Sequence, residues 1–145
     1  MLLVIEELFE LKSDDALKAA SAFGGGIGRM GSACGGLIGG AMAFSLLYGR
    51  SHEDMLEGYR SGKPKSGKKL AVLTRKLGDK FKEEYGSFLC DDIEKKVFGR
   101  SFDKWNPAER EKKEEMGGHK DKCPSVVGKA SRWVAELILD EQGRK

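Results

Sequence analysis

Proline is rare in this chain, aromatic content is modest and the few cysteines are odd in number. Its 145 residues include three prolines, three cysteines and 8% aromatic side chains. Scarce proline, with many Ala, Leu, Lys and Glu residues, favours helices over strands. The cysteine count is odd and no CxxC pair occurs, which argues against a structural disulfide framework. An excess of one charge is also missing. The formal net charge is +3, and Lys and Arg alternate with Asp and Glu, so no field suited to nucleic acid is expected. The opening segment MLLVIEELFELKSDD lacks a basic n-region and mixes acids with its apolar residues, so it does not read as a secretory signal. The expectation is a single domain over residues 1–145, cytoplasmic, with free or reversibly paired thiols.

Glycine is what the chain has in excess. Its 20 glycines are about twice the average usage of roughly 7%. They concentrate in Gly24 to Gly49, GGGIGRMGSACGGLIGGAMAFSLLYG, where nine of the first seventeen residues are glycine. Each costs roughly 1 kcal/mol relative to alanine inside a helix. So many around one thiol imply close backbone approach near Cys34. Met30 to Gly49 carries no charge, which raises a membrane span, and Gly35/Gly39 and Gly36/Gly40 give GxxxG spacing. Glycines and serines dilute the apolar run, so a buried central helix is the better reading, with a homodimer through that helix as an option.

The rest of the chain reads as helices. Leu2, Leu3, Val4, Ile5, Leu8 and Phe9 recur at helical spacing. Ser13 caps a second run and Ser51 a later one, with Asp54 completing a capping box. Ser32 is expected to cap the glycine-rich helix. Lys68 to Tyr85 is amphipathic. Ser87 is expected to cap a short helix through Cys90, Ile93 and Val97. The polar segment from Phe102 to Lys122 reads as mobile, with one solvated turn of helix after Pro107. Pro124 opens a last helix with Val127, Ala130, Val134 and Leu137 on one face. This is an all-α bundle of about five to seven helices around a glycine-rich central helix.

The pattern places Cys34, Cys90 and Cys123 in the first turn of three helices. Free amides and the positive end of the helix dipole meet there. That setting lowers a thiol from about 8.5 toward neutrality, and the thiolate is the form that attacks disulfides or binds soft metals. Against this stands the frequent use of free cysteine as a small buried hydrophobe. His119, four residues before Cys123, adds a weak fourth ligand to a three-cysteine metal site. Gly26, Gly28, Arg29 and Gly31 formally match GxGxxG, but a helical run precedes them where a dinucleotide fold needs a strand. They remain an anion-site candidate.

FGGGIGRMGSACGGLIGGAMAFSLLYGR, with YGSFLCDDI and DKCPSVV further on, resembles the C_GCAxxG_C_C family of redox-active proteins. Cys34 matches its glycine-flanked cysteine, Cys90 the next and Cys123 the last. The family's first cysteine has no counterpart, because MLLVIEELF resembles the helix that follows it. Either the start lies beyond that cysteine or this member lacks it. The resemblance implies clustered redox thiols working by reversible disulfide formation, electron transfer, or binding of a soft metal or Fe–S cluster, with an unknown redox partner. The competing expectation is a non-catalytic helical oligomerisation or ligand-binding domain with inert cysteines.

Overall fold

A computed structural model describes residues 1–144. They form eight α-helices: α1 (Leu2–Leu8), α2 (Asp14–Ala20), α3 (Gly35–Tyr48), α4 (His52–Ser61), α5 (Lys68–Tyr85), α6 (Cys90–Phe98), α7 (Pro107–Glu115) and α8 (Cys123–Glu141). A 3₁₀ turn, Ser21–Phe23, follows α2, and a π turn, Gly118–Lys122, leads into α8. No strand occurs among the described residues; one isolated antiparallel bridge joins Ala33 to Leu89. The all-α expectation holds, but the count exceeds five to seven. Part of the reason is α7, read from sequence as a solvated turn. Asn106 accepts the Ala108 and Glu109 amides at 2.9 and 3.4 Å, and Pro107 fixes the first helical position. These start signals nucleate a helix that has little apolar surface of its own.

Local capping follows the sequence at two sites and departs from it at two others. The Ser13 side chain accepts the Ala16 amide at 3.2 Å. Ser51 and Asp54 form the reciprocal capping box. Ser32 does not cap α3; Cys34 takes that position. Leu89, not Ser87, is the N-cap of α6. Ser87 instead accepts the Leu89 amide at 3.1 Å and donates to Asp92 at 3.0 Å.

Helix α3 packs against α1, α5 and α8. Phe44, Leu77, Phe81, Val134 and Ile138 are fully buried in the resulting core. The ring of Phe81 meets that of Trp133 edge-on at 5.5 Å. Gly36, Gly39 and Gly40 of α3 face side chains of this same chain. A Cβ on Gly40 would lie 2.5 Å from Leu77 Cδ2 and 2.8 Å from Val134 Cγ2. On Gly36 the nearest atom would be Phe81 Cζ at 3.4 Å. The expected result is opposite signs. Gly40→Ala should lose about 1–3 kcal/mol through overpacking, more than the helical gain of roughly 1 kcal/mol returns. Gly36→Ala should be neutral or stabilising. Urea unfolding of the two variants checks this, and equal effects would show that close approach does not hold these helices together. Among the described residues no helix is long and apolar enough to cross a membrane.

Candidate functional site

The segment before α3 sets the site. Gly25, Gly26, Ile27, Gly28 and Arg29 all have positive φ, between 55° and 78°. Left-handed backbone costs roughly 1–2 kcal/mol for an L side chain, and Ile27 is β-branched. Hydrogen bonds hold the turn in place. The amides of Gly28, Arg29 and Gly31 donate to the carbonyls of Ala22, Gly24 and Gly25 at 2.7, 3.0 and 3.1 Å. The anion cradle expected at Gly26, Gly28, Arg29 and Gly31 therefore has three of its four amides engaged within the chain, and Gly26 is buried. Gly26 has a different task. A Cβ there would lie 2.6 Å from the Ser32 amide and 2.7 Å from Cys90 Cβ. Only glycine lets this turn lie against Cys90.

The Ala33–Leu89 bridge then ties two helix starts together. Cys34 donates its amide to Phe88 at 2.9 Å, and Cys90 donates its own to Ser32 at 2.7 Å. Cys34 thus pairs with Phe88, and Cys90 stands diagonally from it on the same side of the bridge. Such diagonal positions have Cα atoms roughly 7–8 Å apart. That lies beyond what a disulfide spans without backbone movement. Cys123 is the first residue of α8. Its amide is not free either, because the π turn continues into α8 and the Cys123 N–H donates to Gly118.

All three thiols line one cavity of about 520 Å³, together with Glu94, Lys104, Lys113 and His119. No disulfide joins any of them. They are nevertheless electrically coupled: a charge on Cys123 raises the Cys34 thiol, and a charge on Cys34 raises Cys90.

Beside the thiols lies a charge cluster that sequence reading missed. Glu94 is 2% exposed. One of its oxygens accepts from Lys113 Nζ at 2.7 Å, the other from Lys104 Nζ at 3.0 Å. The Phe102 amide adds a third donor at 3.3 Å. Lys104 also donates to Asp91. Burial pulls both ammonium groups down, but their carboxylate hydrogen bonds together with the negative charges of Glu94 and the neighbouring thiolates outweigh it, and both end raised. The signal for Glu94 was present in the sequence: it stands four residues after Cys90, on the stripe with Ile93 and Val97. Nothing local pointed to Lys104 or Lys113, which arrive from later segments.

The expectation of acidified thiols is overturned. Burial pushes all three up, and Cys90 reaches about 12. The opposing contacts are real but weaker. At Cys34 the amides of Gly36 and Leu37 favour the thiolate, although no aligned capping hydrogen bond forms to its side chain. At Cys90, Lys104 favours it and Glu94, 4.0 Å from Sγ, opposes it. At Cys123 the Lys113 ammonium lies beside the sulfur. The physical reason is that all three helix starts have their cysteine amide engaged by backbone, so desolvation meets little compensation. His119 is exposed and paired with Glu114 at the cavity wall. Among the described residues, no three His, Cys, Asp or Glu side chains are arranged to hold a metal ion. The set Cys34, Cys90, Cys123 and His119 does not fit one as it stands.

Three thiols around one cavity in an all-helical chain define a cysteine-centred protein. Residues 1–137 match the family described as "Putative redox-active protein (C_GCAxxG_C_C)". The chain belongs to that family. No curated protein and no solved structure matches it closely enough to compare.

Proposed function

We propose that this protein performs reversible thiol–disulfide chemistry in the cavity bounded by Cys34, Cys90 and Cys123. The observation that carries the reading is that three cysteines distant in sequence line one cavity. Cys34 is the central thiol, coupled to both others. Cys123, beside Lys113, is its partner in the disulfide, since an adjacent ammonium stabilises the thiolate that attacks. Cys90, the most strongly raised, remains a thiol. Helix α3 serves as the central support that holds Cys34 at its start. A cytoplasmic setting suits thiols that cycle between free and paired. Thiol exchange is preferred to ligation of a soft metal or Fe–S cluster because exchange needs two sulfurs to meet, not three donors around one point.

Anaerobic purification followed by thiol titration in denaturant tests the reading. Mild oxidation should remove two of the three titratable thiols, and reductant should restore them. Peptide mapping should find Cys34 in the disulfide, and Cys34→Ser should abolish the loss. Three reactive thiols before and after oxidation would overturn it. That outcome favours a second reading, a helical packing domain with inert cysteines, which burial of all three thiols supports.

A further inference from the structure

Four cations line the thiol cavity: Arg29, Lys104, Arg110 and Lys113. They outnumber its two carboxylates, Glu94 and Glu114. Asp91, behind Lys104, adds a third carboxylate without reversing the balance. The two buried lysines are tied to Glu94. The two arginines are exposed, and among the described residues neither forms an ion pair. Arg29 is held with its guanidinium 5.7 Å from the Trp105 ring, a contact that orients it without neutralising it. The apolar side chains Ile93, Phe98 and Val126 complete the wall. A cavity of about 520 Å³ is of the size that encloses a small molecule, not a folded protein.

From this we infer that the cavity takes a small disulfide carrying carboxylates, whose charges meet Arg29 and Arg110 while its sulfurs reach the cysteines. The inference rests on the thiol–disulfide reading above. The Cys34 thiolate attacks one sulfur of RS–SR, forming a mixed disulfide and releasing RS⁻. The Cys123 thiolate then attacks the Cys34 sulfur and expels the second RS⁻. Two protein thiols are oxidised and one disulfide is reduced. The two protons lost by the cysteines leave on the two product thiols. The positive cavity concentrates the anionic substrate, an effect worth about 10-fold or more in rate at low salt.

The test compares three symmetric disulfides of similar size: dithiodipropionate with two carboxylates, the neutral bis(hydroxyethyl) disulfide, and cystamine with two ammonium groups. Each oxidation rate of the reduced protein is divided by that disulfide's rate with a free cysteine peptide. At low salt the normalised rate for dithiodipropionate should exceed that for cystamine by about tenfold or more, and the ratio should fall as salt rises. The double variant R29A/R110A should bring the ratio close to one, while Arg132→Ala, on α8 outside the cavity, should leave it unchanged. The salt series on the unmodified protein needs no variant to fold. Equal normalised rates, or a preference that survives loss of both arginines, would overturn the anion selectivity and leave thiol exchange standing. Oxidation by none of the three would overturn both.

Discussion

Glu94→Gln should cost the fold about 3–5 kcal/mol, among the largest effects of any single substitution in this chain. The carboxylate is 2% exposed and lies between two buried ammonium groups. Removing its charge leaves Lys113 without its partner, since Glu94 is the one carboxylate it bonds among the described residues. Lys104 keeps Asp91, which places the loss toward the lower end. The amide also brings two donors where three donors already converge. Urea unfolding measures the loss, with Asp15→Asn in an exposed pair as the reference that leaves the midpoint unmoved. Replacing Glu94, Lys104 and Lys113 together by apolar residues should recover most of the loss, because buried ion clusters are costly to break and cheap to replace. A loss below about 1 kcal/mol for Glu94→Gln would mean that water reaches the cluster and that it does not shape the cavity wall.

The second large effect concerns Cys90. Burial pushes its thiol up to about 12 from an ordinary 9.0. Each unit is tenfold in thiolate at neutral pH, so Cys90 should alkylate about a thousandfold more slowly in the folded protein than in denaturant at pH 7.5. The folded-state rate should climb about tenfold per pH unit. The same shift sets a stability trend. A thiol raised by folding contributes stability that is complete below the unfolded value near 9 and is lost as pH rises toward 12. Cys90→Ala should flatten that alkaline decline. Equal labelling of folded and denatured Cys90 would refute the half-buried, protonated assignment. Cys34 and Cys123 have their own thiolate-favouring contacts, and mass-resolved labelling separates the three.

Much of this fold is legible in the sequence because the signals are local. Ser13 and the Ser51/Asp54 pair cap helices through contacts three residues away. The stripe Leu70, Val72, Leu73, Leu77 and Phe81 marks the apolar face of α5 by spacing, and the structure departs from it only at Val72, which is exposed. Misplaced starts at Ser32 and Ser87 came from the same kind of reasoning, and failed because the Ala33–Leu89 bridge holds both segments extended until Cys34 and Leu89. That bridge joins residues more than fifty positions apart, and no local rule reads it.

The site divides in the same way. Sequence singled out Cys34, Cys90 and Cys123, because glycine crowding and helix-start patterns are properties of neighbouring residues. Tertiary structure alone decided how readily each gives up its proton. The order of opposing effects on each thiol depends on how deeply it is buried and on which cations approach. Lys104 and Lys113 approach from the polar segment that by sequence reads as mobile, with one solvated turn of helix. The glycine segment fixes where one thiol stands by itself. Packing fixes whether that thiol is charged, because desolvation and distant ammonium groups act through space and leave no trace along the chain.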